Sequence, residues 1–146
     1  MGKSHVVCVA SIRAPIEIVF ARLTDHDDVR NWPGVSDARL IKEGSPRNGV
    51  GAVRAVEHPF LTIHEEVVAF EPPVRFEYRI VRGMPIVHHG TISFEARGDE
   101  TQVSWDVRVS SKVPGLAGLL GMVLRRGLRD VLAYVARVSA PDAPRA

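Results

Sequence analysis

The sequence has few of the residues that several classes of protein depend on. Among its 146 residues there is one cysteine, Cys8, which excludes an internal disulfide. No segment reaches the roughly 20 apolar residues that span a bilayer. The first residues alternate in polarity before the apolar stretch of a secretory signal could form. These absences exclude a disulfide scaffold and a transmembrane protein, and they predict a cytoplasmic location.

Net charge is also small, but it is unevenly distributed. The whole chain carries +2, whereas the segment 112–137 contains five basic residues and one acidic residue, or +4, which leaves −2 for the remainder. Such a segment is typical of a helix with a solvated basic face, and it also permits weak contact with an anionic membrane surface or an acidic partner. Basic and aromatic residues do not interleave along any predicted strand, so we expect no nucleic-acid partner.

What remains is the composition of an ordinary globular domain, with 45% hydrophobic and 25% charged residues. The length suits one domain with one core. We predict a single domain over residues 1–139, followed by a disordered tail over 140–146.

The N-terminal segment predicts one strand and two short helices. Apolar residues alternate over 6–12, as expected of a strand with one buried face. Apolar residues then recur at helical spacing over 15–24, beginning at a proline that suits a first helical turn. Thr24 or Asp25 can cap a second helix, which runs until Pro33 stops it.

The central segment, residues 35–111, predicts six strands in an antiparallel meander, because short runs of strand-like sequence are separated by turn residues. In the last three runs, apolar residues alternate with polar ones, which predicts an inner apolar face and an outer polar face. The turn residues lie at 45–49, 58–59, 72–73, 83–85 and 98–99.

A long apolar helix is predicted over residues 114–138, about 37 Å in length at 1.5 Å per residue. Its broad apolar face should lie against the concave side of the sheet. Four glycines interrupt it, each costing about 1 kcal/mol relative to alanine, so they need a compensating reason. Close approach to the sheet, a ligand, or a mobile first turn would each provide one. The glycines are Gly115, Gly118, Gly121 and Gly127.

Over about 5–138, this order of elements resembles the polyketide cyclase/dehydrase branch of the START-like superfamily, which shares the helix-grip fold of the birch pollen allergen. The resemblance implies an α+β fold: a seven-stranded curved antiparallel sheet with two short helices and a long C-terminal helix enclosing a cavity. It implies a small hydrophobic ligand, and we expect no cofactor. The matching segments are Ile12-Arg13-Ala14-Pro15 with Val19-Phe20, Thr24-Asp25 with Trp32-Pro33-Gly34-Val35, Glu65 and Val67 with Phe70-Glu71-Pro72-Pro73 and Phe76-Glu77-Tyr78, and Thr101-Gln102-Val103-Ser104-Trp105.

Metal and hydrolase chemistry find little support. His88 and His89 are adjacent on a predicted strand and therefore point to opposite faces. Cys8 has no thiol partner, and no Gly-x-Ser-x-Gly elbow occurs. We therefore predict no metal site and no serine hydrolase.

The candidate ligand site is the wall of the implied cavity. Polar side chains there would orient a ligand, and an inward Arg54 without an acidic partner would favour an anionic or carbonyl-bearing one. The leading hypothesis is a carrier of a lipid, isoprenoid or polyketide-like molecule. An aromatase/cyclase with Tyr78, His64 or His88 as acid or base is the alternative, and a membrane-associated or protein-interacting regulator is a third. The predicted ligand-binding residues are Trp32, Arg54, His64, Phe76, Tyr78, His88, Phe94, Trp105, Leu120 and Leu124.

Overall fold

The computed structural model describes residues 2–140, and most of the predicted tail, 141–146, lies outside them. Seven strands and three helices follow one another in the predicted order. Their bounds are β1 Gly2–Ile12, α1 Ile16–Thr24, α2 His26–Val29, β2 Asp37–Lys42, β3 Val53–His58, β4 Leu61–Glu71, β5 Arg75–Arg82, β6 Val87–Arg97, β7 Glu100–Ser111 and α3 Leu116–Ser139.

The strands form one antiparallel sheet in the order β1-β7-β6-β5-β4-β3-β2. The predicted meander over 35–111 is confirmed, since each of these six strands pairs with its neighbour in sequence. The first strand then pairs along its full length with the last, with Val6 opposite Val107. This long-range pairing brings the N-terminal segment next to the C-terminal helix.

The predicted inner and outer faces are also confirmed. Phe76 and Trp105 are buried, with 0% and 2% of their surface exposed. Their chain neighbours Glu77 and Asp106 lie on the opposite face, where Glu77 bonds Thr91 and Asp106 bonds His5. Helix α3 packs on the inner face, chiefly along β1 and β7.

The second helix is shorter than predicted and ends at Val29 rather than at Trp32. Asp25 caps its start by accepting a hydrogen bond from the Asp27 N–H at 2.9 Å. Beyond the helix, the N–H groups of Asn31 and Trp32 donate to carbonyls only three residues back, so the chain continues as tight turns. The Trp32 indole then donates to the Arg22 carbonyl at 3.1 Å, which holds its ring at the inner face.

Helix α3 packs a narrower face than its sequence predicts. Residues near its C-terminal end are buried, including Leu128 and Val135, but Leu119 and Val123 are each 59% exposed. At Gly121 the helix lies close to β1, which accounts for this glycine, because a Cβ there would stand 2.9 Å from the Ser4 Cβ. Gly115 lies just before the helix with a φ of 76°, a backbone conformation that favours glycine.

Candidate functional site

A cavity of about 300 Å³ lies between the inner face of the sheet, the segment 29–35 and the middle of α3. Its wall is mainly apolar, with Trp32 and Trp105 in edge-to-face contact at 5.6 Å between ring centroids. Val123, Leu124 and neighbouring residues of α3 form the opposite wall. The cavity therefore has the size and the mainly apolar wall that a small organic ligand requires.

Five polar side chains interrupt this wall, and two of them, Tyr78 and His88, form one cluster. Tyr78 on β5 is buried, and its hydroxyl oxygen accepts a hydrogen bond from Trp105 Nε1 at 3.1 Å. His88 on β6 lies beside it, with 5.7 Å between the ring centroids. Gly90 is the residue opposite Tyr78 in the sheet, and its missing side chain leaves room for the phenol ring.

Burial determines the protonation of this pair. Loss of hydration raises the pKa of Tyr78 far above its ordinary value, so the phenol keeps its proton. Loss of hydration likewise lowers the pKa of His88, so its imidazole is neutral at pH 7. Within the described part of the chain, the buried His88 Nε2 has no hydrogen-bond partner. An unpartnered buried nitrogen in a cavity wall is suited to a ligand.

Two further polar side chains of the wall form an ion pair. Arg54 and Glu65 are directly opposite on β3 and β4, and Arg54 Nε donates to Glu65 Oε1 at 3.0 Å. Arg54 Nη1 also donates to the Thr24 carbonyl at 2.9 Å, and the guanidinium lies 5.4 Å from the Phe76 ring centroid. An inward Arg54 without an acidic partner would favour an anionic or carbonyl-bearing ligand. Because Arg54 pairs with Glu65, that expectation does not apply.

The structure places six of the ten predicted residues in the cavity wall, namely Trp32, Arg54, Tyr78, His88, Trp105 and Leu124. The prediction that His64 lines the cavity was wrong. Strand alternation directs Ile63 and Glu65 inward and His64 to the opposite face. Phe76, Phe94 and Leu120 pack against the core and do not line the cavity.

Sequence reasoning missed Glu65 and the residues at the mouth. Val123 and Gly127 form one side of the mouth, and the segment 33–35 forms the other. His58 stabilises the segment 33–35 through a 3.0 Å hydrogen bond between its Nδ1 and the Gly34 carbonyl. The strand pairing that places Glu65 opposite Arg54 was the signal available for that residue, but it required the register of β3 and β4.

Within residues 2–140, one cluster brings three potential metal-ligating side chains together, formed by Asp25, His26 and Asp27 at the start of α2. His26 is buried and its Nδ1 lies 2.8 Å from Asn48 Oδ1, while each carboxylate is 3.4–3.6 Å from the ring. These contacts fit the capped end of a helix, and none of the three residues lines the cavity.

A curved antiparallel sheet that grips a long C-terminal helix over an apolar cavity defines the helix-grip class of proteins. The chain belongs to the family described as "Polyketide cyclase / dehydrase and lipid transport", whose profile matches residues 4–139. No curated protein matches the sequence significantly. Within residues 2–140, none of the helices combines the length and hydropathy of a membrane span.

Three solved structures illustrate the similarity of the fold. The protein XoxI from Bacillus cereus is 17% identical, with a TM-score of 0.75 over 93% of this chain and 95% of its own. A START superfamily protein from Mycobacterium smegmatis is 15% identical, with a TM-score of 0.74 over 92% and 97%. DynU16, a putative protein in the dynemicin biosynthetic locus, is 22% identical, with a TM-score of 0.69 over 92% of this chain and 46% of its own.

Proposed function

We propose that this protein binds and carries a small, mainly apolar molecule in the cavity between the sheet and α3. The observation that carries the proposal is a mainly apolar cavity of about 300 Å³ whose wall includes His88, with a buried Nε2 that has no hydrogen-bond partner within the described residues. Buried polar atoms are nearly always hydrogen-bonded in folded proteins, so a ligand atom is a natural partner. The family description, which includes lipid transport, supports the same function.

The polar side chains of the cavity wall would orient such a ligand. The apolar body would contact Trp32, Trp105 and Leu124, and a polar atom would lie beside His88 and Tyr78. Apolar contact would supply most of the affinity, and the polar atoms would set orientation.

Binding can be tested with N-phenyl-1-naphthylamine, an uncharged probe whose fluorescence increases in apolar surroundings. We expect micromolar affinity for the unmodified protein. A Leu124→Trp substitution should abolish binding, because the indole would fill the cavity. The matched control is Leu119→Trp, on the exposed side of the same helix. Equal binding by the Leu124→Trp protein would locate the site elsewhere. Native mass spectrometry of freshly purified protein would reveal a retained molecule.

A cyclase is the second candidate function, because a neutral His88 and a protonated Tyr78 share one wall of the cavity. His88 could remove a proton next to a ligand carbonyl, while Tyr78 donates a hydrogen bond to the carbonyl oxygen. The test is exchange of the methyl protons of 2-acetylnaphthalene in D2O, followed by NMR. Catalysis by the unmodified protein, lost in His88→Phe and kept in His64→Phe, would support an enzyme. Binding without exchange would support a carrier.

We further propose that the first half of α3 contacts an anionic membrane surface when ligand is exchanged. Leu119, Met122 and Val123 are exposed there, and Arg125 and Arg126 are exposed beside them. Within the described residues, neither arginine forms a salt bridge. Apolar side chains flanked by free arginines are typical of helices that lie in a membrane interface. Val123 also lines the cavity, so this surface adjoins the mouth. A cytoplasmic location stays a prediction.

A further inference from the structure

We propose that the polar side chains of the cavity wall select an uncharged ligand with a hydroxyl or carbonyl oxygen and discriminate against carboxylates. The inference rests on the proposed ligand-binding function and names the class of molecule that the site accepts. Charge and hydrogen bonding each contribute to this selectivity.

An acidic and a basic side chain of the cavity wall form one ion pair. Arg54 and Glu65 both line the wall, and their charges cancel at 3.0 Å. The side chains are only 5% and 12% exposed, so water screens them poorly. The guanidinium also donates to the Thr24 carbonyl. A ligand carboxylate would therefore add a second negative charge beside Glu65 without adding a cation, and an unbalanced buried charge is costly.

The hydrogen-bonding groups favour a neutral oxygen. Trp105 donates to the Tyr78 oxygen, and no residue of the described chain accepts the Tyr78 hydroxyl proton, which leaves it for a ligand oxygen. The neutral imidazole of His88 lines the same cavity, and its buried Nε2 has no hydrogen-bond partner within the described residues. A carbonyl could accept from Tyr78, and a hydroxyl could also bond His88. A pure hydrocarbon would leave these groups unsatisfied, and so it should bind less tightly.

Three probes with one aromatic body separate these contributions: naphthalene, 2-naphthol and 2-naphthoate. At pH 7 the naphthol is neutral and the naphthoate is an anion. We expect the unmodified protein to bind 2-naphthol about tenfold more tightly than naphthalene, as one additional hydrogen bond would give. We expect 2-naphthoate to bind at least tenfold more weakly than 2-naphthol. Isothermal titration calorimetry measures all three dissociation constants.

Two substitutions test the assigned residues. His88→Phe should reduce the advantage of 2-naphthol, because only Tyr78 would then bond its oxygen, and leave naphthalene binding nearly unchanged. Glu65→Gln should give the cavity a net positive charge and tighten 2-naphthoate binding by tenfold or more. Glu66→Gln is the matched control, because Glu66 pairs with Arg79 away from the cavity. Naphthalene binding reports in each variant whether the cavity is still formed.

The ranking in the unmodified protein decides the inference without any variant. Binding of 2-naphthoate as tight as that of 2-naphthol would overturn it, and so would naphthalene binding as tight as that of 2-naphthol. In either case the proposed carrier function would survive, because a ligand is still bound. If none of the three probes bound, and N-phenyl-1-naphthylamine also failed, the proposed function itself would be wrong.

Discussion

Gly90 and Tyr78 face each other across neighbouring strands, and a Cβ at position 90 would stand 2.3 Å from the Tyr78 Cζ. The phenol therefore lies over a glycine, where its hydroxyl meets the Trp105 indole. We predict that Gly90→Ala displaces Tyr78, lowers the free energy of unfolding by about 2 kcal/mol through overpacking, and weakens 2-naphthol binding. Urea denaturation and calorimetry measure the two effects. Unchanged stability together with unchanged binding would show that the ring can shift freely.

The glycines of α3 provide a matched pair of substitutions. A Cβ at Gly118 meets open space, so Gly118→Ala should raise the free energy of unfolding by up to about 1 kcal/mol through helix propensity. At Gly121 a Cβ would meet the Ser4 side chain, so Gly121→Ala should lower that free energy by about 1–3 kcal/mol. Thermal denaturation compares them. The opposite order would show that the contact with Ser4 does not restrict position 121.

If the first turns of α3 act as a gate, Gly118→Ala should also slow ligand entry and exit while leaving the equilibrium affinity unchanged. Stopped-flow fluorescence with N-phenyl-1-naphthylamine gives both rates. A stabilised protein with unchanged rates would exclude the gate.

The buried ion pair predicts strongly non-additive mutations. Arg54→Met leaves the Glu65 carboxylate without its cation and should lower the free energy of unfolding by about 3 kcal/mol. The double variant Arg54→Met/Glu65→Met should recover most of that loss, since no buried charge remains. A double-mutant cycle in urea measures the coupling, and additive losses would show that the two charges are independent.

The lowered pKa of His88 predicts a particular dependence of stability on pH. Burial holds the folded-state pKa below the ordinary value of 6.5, so the unfolded chain binds the proton first as the pH falls. This histidine should therefore reduce stability progressively below pH 6.5, although Glu65 favours its protonated form and His89 opposes it. His88→Phe should flatten the decline, and His89→Phe should flatten it less, because it removes only one of the influences that oppose protonation of His88. Urea midpoints at a series of pH values provide the measurement. An identical decline in His88→Phe would assign it to other groups.

The proposed membrane surface predicts binding that depends on lipid charge. The protein should co-sediment with vesicles containing phosphatidylserine and not with pure phosphatidylcholine vesicles. Met122→Ser should weaken this binding without loss of stability, because Met122 is 74% exposed. Arg126→Glu should weaken it further. Binding that ignored both substitutions would place the contact on another surface.

The local pattern of the sequence determined most of the secondary structure. Alternation around Phe76 and Trp105 specified which side chains face the core, because successive side chains of a strand point to opposite sides. Proline and glycine clusters located the turns, since these residues adopt the required backbone angles. Tyr78, His88 and Trp105 line the cavity because these faces were correct.

Tertiary structure decided the rest, through contacts between residues that are distant in sequence. The alternation of β3 was ambiguous at Arg54, and only its pairing with β4 set Glu65 opposite it and turned His64 away. Likewise, helical periodicity marked Leu119 and Val123 as apolar without showing whether anything covers them. The sheet contacts the later turns of α3 and leaves these two exposed. Periodicity is a local property, whereas strand register and the extent of helix packing depend on which surfaces meet after folding.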